Sequence, residues 1–292
     1  MAEPVEFYEP RTIAEAVAVL ASVPDACCLA GGQTLVAGMN MGPLFRPPAL
    51  VSLQRIDELK GITQRPDGTV VVGAMVTHRT VAQSELFGGG LEVVREAAGC
   101  IAHPAIRTMG TIGGSICHAD PAADYPAVLI ATDATVVVTG PSGIREIPAA
   151  EFFVDFMTTS IEPDELVTAI TFPPAPADAV SVYEKFTRAS GDFATVSVAL
   201  ALSLRHGRCE SVRIALGSCG PTPVRAAAAE QRLVQTSLDE SDVQDAGRIL
   251  CDAAAPMDDV RGTADYKLML IPRLLGRTIQ RAQERAVAWR VE

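Results

Sequence analysis

Two glycine pairs constrain this chain more than any other feature: Ala30-Gly31-Gly32-Gln33-Thr34 and Thr111-Ile112-Gly113-Gly114-Ser115. Each follows an apolar or β-rich segment and has a hydroxyl residue just past its glycines. Without β-carbons, successive backbone N–H groups can crowd a ligand and form an anion-binding concavity. Thr34, Thr111 and Ser115 add hydroxyl donors. No Lys or Arg lies between residues 12 and 45, or between 108 and 144. A diphosphate held here is neutralised by backbone dipoles and hydroxyls, as suits a group gripped between two walls. Either pair alone is an ordinary turn signal; the two together carry the reading. Neither has the spacing of G-x-G-x-x-G or the lysine of a P-loop, which argues against an ordinary Rossmann dehydrogenase and a P-loop ATPase.

Charge narrows the ligand class further. The 292 residues carry 24 Lys and Arg against 35 Asp and Glu, a net charge of −11. A nucleic-acid binder needs a basic face, and here the basic residues are few and scattered, so nucleic acid is not an expected partner. Glu3 and Glu6 stand where a secretory signal would need positive charge, and the longest apolar stretch is broken by Asp133. The expectation is a soluble, cytoplasmic protein without membrane insertion. The 7 cysteines include no C-x-x-C pair, and adjacent Cys27 and Cys28 would point to opposite faces of a strand. Reduced, mostly buried thiols are expected, with no iron–sulfur or zinc site.

The chain reads as α+β throughout. Thr12 to Glu15 is a capping box opening a helix, "ACCLA" is a short buried strand running into the first glycine pair, and "ALVSL" at 49–53 is a second strand. Residues 69–75 are β-rich, Thr77 can cap a short helix starting near His78, and "LEVVREAAGCIA" has helical periodicity. A loop "HPAIRTMGTIGGS" follows, then a helix around "AADYPAVLIAT" and strands at 134–139 and 143–147. "FPPAPADA" at 172–179 is the best boundary signal. Beyond it, "SVALALSL" and "CESVRIAL" form a hairpin about His206-Gly207-Arg208, and helices cover roughly 224–236, 239–255 and 263–290, with Pro272 kinking or restarting the last. The expected division is 1–178, with subdomains of about 1–55 and 56–178, followed by 179–292.

"AGGQTL" at 30–35, "RTMGTIGGSICHADPAADYPAVLIATDA" at 107–134 and "YEKFTRASGDFATVSVAL" at 183–200 closely resemble the flavoprotein (medium) subunits of molybdenum hydroxylases, the carbon monoxide, xanthine and N-heterocycle dehydrogenase type. The resemblance covers almost the whole chain. It implies an FAD-binding fold of two α+β subdomains followed by a C-terminal α+β domain of antiparallel sheet plus helices. It also implies a first loop (Ala30, Gly31, Gly32, Gln33, Thr34, Leu35) and a second loop (Thr111, Ile112, Gly113, Gly114, Ser115) on the FAD diphosphate. Asp124 would hold a sugar or ribityl hydroxyl, Lys185 would lie near the flavin ring, and Val167 would supply an apolar contact. Such a subunit passes electrons from [2Fe–2S] clusters on a small partner subunit through FAD to an external acceptor. Substrate oxidation occurs on a large molybdopterin subunit, commonly within a dimer of heterotrimers.

Some positions depart from the family. Ser115 stands where many members have Asn, Thr34 where many have Ser, and Phe193 where some have Tyr; short polar character and stacking survive, and one hydroxyl is lost. His78, His103 and His118 lie near the motifs, yet flavin electron transfer needs no side-chain base, so no catalytic role is assigned to them. The alternative is a stand-alone FAD oxidase of the same fold. Those relatives usually add a substrate domain and often a covalent flavin link, whereas the region after the connector, about 110 residues, is small for a substrate domain. A flavin-free scaffold fits poorly with intact glycine loops and Asp124.

Overall fold

The computed structural model describes residues 5–42 and 46–289. Glu3 and residue 290, the end of the expected last helix, fall outside these. The first unit is a small parallel sheet. Strand β1 (Glu6–Tyr8) leads to helix α1 (Ile13–Ser22), strand β2 (Cys27–Leu29), helix α2 (Leu35–Met41) and strand β3 (Ala49–Ser52). β3 lies in the middle, parallel to both neighbours. Ala16, Val17 and Leu20 of α1 are buried with Val51, Leu53 and Met75. Thr12 caps α1 by accepting from the Glu15 amide, but the Glu15 carboxylate takes the Arg11 amide rather than completing the reciprocal box. β2 is only half-buried, unlike the buried strand expected.

The second unit is an antiparallel five-stranded sheet with helices on it. Its elements are β4 (Ile62–Gln64), β5 (Val70–Gly73), α3 (His78–Gln83), α4 (Glu92–Cys100), α5 (Pro104–Arg107), α6 (Ile112–His118), α7 (Tyr125–Ala131), β6 (Thr135–Gly140), β7 (Gly143–Pro148), α8 (Ala149–Phe152), the small pair β8 (Phe153–Asp155) and β9 (Thr158–Thr159), and β10 (Leu166–Phe172). The strand order is β4-β5-β10-β6-β7. β10 is the central strand, and every one of its residues except Ala169 is buried. All seven residues of α7 are buried, so no amphipathic pattern marks it.

The third unit begins with β11 (Ala179–Phe186), paired antiparallel to β12 (Val196–Arg205), which pairs with β13 (Arg208–Gly217). His206 and Gly207 both take positive φ, 51° and 76°, as a two-residue turn between twisted strands requires. Helices α9 (Ala227–Leu233), α10 (Glu240–Ala253) and α11 (Ala264–Trp289) cover one face of this sheet. α11 is one continuous helix with Pro272 inside it, so the proline does not restart the helix. Proline lacks the N–H that would bond the Leu268 carbonyl, and Cys251 Sγ from α10 donates to that carbonyl instead, at 3.4 Å.

The period of two along β11 positions the site. Val180 and Val182 face the helices of the third unit, whereas Tyr183 packs with the core of the second unit. Ser181 on that second face accepts from the Val93 amide at 2.8 Å and fixes the start of α4. Lys185 follows on the same face. All seven cysteines are free, but only Cys209 and Cys219 are buried, and Cys100 and Cys117 are exposed. Among the described residues no helix is long and apolar enough to cross a membrane, and no three His, Cys, Asp or Glu side chains converge as metal ligands.

Candidate flavin site

The structure brings the two glycine pairs into contact. A Cβ built on Gly31 would overlap the Met109 carbonyl oxygen and stand 2.7 Å from Gly110 Cα, so the two backbones touch there. A Cβ on Gly114 would stand 3.4 Å from the Ala30 Cβ. Gly32 takes φ +69°, which turns the chain from β2 into α2. Five successive amides, Gly31 to Leu35, donate to no acceptor among the described residues. The Thr34 hydroxyl makes no capping bond either. Gln33 Nε2 folds back onto the Gly31 carbonyl at 3.2 Å. The loop is half-buried to exposed, so its free donors are open to a ligand.

The second pair is built differently from the loop expected. Gly113 and Gly114 form the first turn of α6, and Thr111 caps it by accepting from the Gly114 amide at 3.1 Å. The amides of Ile112, Gly113 and Ser115 go to the carbonyls of Val76, Ala74 and Thr111. Gly113 is required because a Cβ there would sit 2.6 Å from the Ala74 carbonyl oxygen. Its amides are already paired, so this pair forms a close wall beside the first, which alone of the two leaves free backbone donors.

His78 braces this wall. Its amide donates to the Gly110 carbonyl, its ring lies against Gly110, and its Nδ1 is 3.2 Å from the Tyr125 hydroxyl. Burial, and then the nearby Arg107 charge, push its pKa down to about 4. The folded state therefore favours neutral His78. That stability is present above the unfolded pKa near 6.5 and is lost as pH falls toward 4. Between pH 7 and 4.5, His78→Gln should lose about 2–3 kcal/mol less unfolding free energy than the wild type in urea titrations. Equal losses would show that His78 is not held neutral. His103 is exposed, against Gly191, and His118 is half-buried at the end of α6.

Asp124 and Lys185 meet. Lys185 Nζ is 3.0 Å from Asp124 Oδ1, with the two side chains 7% and 6% exposed. Lys185 is thus no surface charge; it also donates to the Cys100 carbonyl at 2.9 Å. Asp124 sits where α7 begins, yet its carboxylate makes no capping bond. Tyr183, which sequence reasoning missed, donates its hydroxyl to the same Oδ1 at 2.7 Å. Its position two residues before Lys185 on a strand was the available signal. Burial raises the Asp124 pKa, opposed by Lys185 and Tyr183. Oδ2 accepts no hydrogen bond from another described residue. Val167 is 3% exposed in the core, its backbone paired with Val138, and presents no open face. Phe193 is 46% exposed, with the Arg261 guanidinium 5.2 Å above its ring, on a loop whose Gly191 lies against Ala102 and His103.

This donor set fits a dinucleotide with a diphosphate and polyol hydroxyls. Free amides and a hydroxyl suit phosphate oxygens, and a carboxylate with one open oxygen suits a hydroxyl donor. Comparison with known proteins agrees. Residues 3–175 match the family model described as the FAD binding domain in molybdopterin dehydrogenase, and residues 181–282 match the CO dehydrogenase flavoprotein C-terminal domain. The carbon monoxide dehydrogenase medium chain of Afipia carboxidovorans is 38% identical over 283 residues, covering 96% of this chain and 97% of that one. Among solved structures, a chain of carbon monoxide dehydrogenase from Hydrogenophaga pseudoflava lacking the Mo-pyranopterin moiety superposes with a TM-score of 0.93 at 36% identity, covering 98% of this chain and 99% of that one. A chain of quinoline 2-oxidoreductase from Pseudomonas putida 86 gives 0.92 at 31%, with the same coverage. The chain therefore belongs to the family of FAD-binding medium subunits of molybdopterin dehydrogenases.

Proposed function

We propose that this chain is the electron-transfer subunit of a three-component molybdenum hydroxylase, taking electrons from [2Fe–2S] clusters on a small partner subunit and passing them to an external acceptor. Bound FAD supplies the redox chemistry. The large partner would carry the molybdopterin on which substrate is oxidised, and the cytoplasmic assembly would double as a dimer of heterotrimers. The names of the relatives, medium chains of dehydrogenases, support this place in a complex. Residues 1–178 would form the flavin-binding region and 179–292 a C-terminal domain that lends it Lys185 and Tyr183.

The free amides of Gly31 to Leu35, opposed by the Gly113-Gly114 turn, carry the reading. In it, those amides with the hydroxyls of Thr34 and Ser115 hold the diphosphate oxygens. Asp124 Oδ2 accepts a hydroxyl of the cofactor, and Lys185 favours negative charge on the reduced ring, raising its potential. Val167 serves as packing beneath the site. His78, held neutral against Gly110 and Tyr125, keeps the wall rigid.

Purification of the native complex tests this. Oxidised-flavin absorption should accompany the chain, acid precipitation should release free FAD, and iron and molybdenum should co-purify in stoichiometric amounts. A colourless chain that takes up no FAD would contradict the cofactor assignment. An FAD-loaded chain that turns over substrate without iron or molybdenum would favour the stand-alone oxidase.

A further inference from the structure

Tyr183 is fixed at three points. Its amide donates to Glu96 Oε2 of α4 at 2.8 Å, its carbonyl accepts from Arg281 of α11 at 3.3 Å, and its hydroxyl donates to Asp124 Oδ1. The residues holding it are themselves held. Arg281 Nη2 bridges to Glu96 at 2.9 Å, Arg285 to Glu96 at 2.6 Å, and both Arg281 and Arg277 to Glu184. Tyr183 is 3% exposed, and its hydroxyl proton is already committed to Asp124. A buried hydroxyl aimed at a carboxylate that also pairs with a lysine acts through that carboxylate, by fixing its orientation.

We propose that Tyr183 is a positioning residue of the flavin site. With Lys185 it occupies Oδ1 of Asp124, leaving Oδ2 as the free acceptor for a hydroxyl of the bound cofactor. The inference rests on the assignment of Asp124 to that hydroxyl. Lys185 and Tyr183 face Asp124 from β11, Cys100 from the last turn of α4, and Tyr125 lies on its own helix; Glu96 and Glu184 lie beyond Cys100. Of these, Lys185 and the Tyr183 hydroxyl hold the Asp124 carboxyl down against burial. Removing the hydroxyl lets that pKa rise further, and the protonated carboxyl is a poorer acceptor. Affinity for FAD is then lost at a higher pH than in the wild type.

The test is FAD titration of the full chain after flavin removal, followed by flavin fluorescence from pH 5 to 9. Tyr183→Phe keeps the ring and its packing. It should weaken FAD binding roughly fivefold to tenfold at pH 7, because Asp124 must then be oriented on binding instead of beforehand. It should also raise the acid-side midpoint of the affinity profile by about one pH unit. Added to Asp124→Asn, the same change should have no further effect. The melting temperature of the flavin-free variants separates folding defects from binding defects. A Tyr183→Phe profile superimposable on the wild type, or a full additional loss in the Asp124→Asn background, would overturn the inference while Asp124→Asn alone still weakens binding. An Asp124→Asn variant that binds FAD normally would remove both the inference and the role of Asp124.

Discussion

Gly31→Ala is expected to weaken FAD retention sharply. The new Cβ would overlap the Met109 carbonyl oxygen and crowd Gly110 Cα, both backbone atoms that no rotamer change can move aside. Relief requires the loops at 30–35 and 109–115 to separate, which widens the gap between free amides and facing wall. Overpacking of this kind costs typically about 1–3 kcal/mol, which at about 1.4 kcal/mol per tenfold leaves between roughly a fifth and a hundredth of the wild-type affinity. Gly32→Ala should be milder, because its penalty is a left-handed φ and a contact with the movable Val36 side chain at 3.2 Å. Flavin-to-protein absorbance ratios after gel filtration measure both. Normal FAD content in Gly31→Ala would mean that the contact between the loops is incidental to cofactor binding.

Lys185→Met is expected to be the most destabilising single change at the site. It removes the cation from a nearly fully buried pair and leaves Asp124 uncompensated. Breaking such a pair costs about 3–5 kcal/mol. The pH dependence follows from the raised Asp124 pKa. A carboxyl with a folded pKa above its unfolded value stabilises the fold fully below the unfolded pKa and loses that contribution as pH rises through the folded pKa. Lys185→Met raises the folded pKa further, so its deficit against the wild type should be largest at pH 8 and shrink toward pH 5. Adding Asp124→Asn should recover most of the loss at pH 8. Urea titrations of the flavin-free chain at both pH values decide this; a deficit independent of pH would assign the loss to packing alone.

Local chemistry made much of this fold legible. The Thr12 and Thr77 caps, the His206-Gly207 turn and the strands around it stand where propensity places them. Elements set by long-range contact were not readable. α6 was hidden because Gly113 and Gly114 are poor helix formers, tolerated where α6 packs on Ala74. α2 was hidden because Leu35 to Met41 carries glycine and asparagine among its apolar residues, with no capping bond at Thr34. In the unbroken α11, a thiol from another helix takes the carbonyl that Pro272 cannot serve. At the site, the motifs marked both glycine pairs, Asp124 and Lys185, but not that the last two form one buried pair. Nor did they mark Tyr183 or His78 as braces: strand spacing puts Tyr183 on the face of Lys185, but neither residue type tells which group lies 59 or 47 residues away.

The claim that two glycine pairs enclose one diphosphate is tested most directly by backbone amide NMR of the flavin-free chain titrated with FAD and, separately, with riboflavin. FAD should shift the amides of residues 31–35 and perturb Gly114 and Ser115, whereas riboflavin, lacking the diphosphate, should leave residues 31–35 unmoved. Tight FAD binding that leaves those five amides unshifted would place the diphosphate elsewhere and contradict the account.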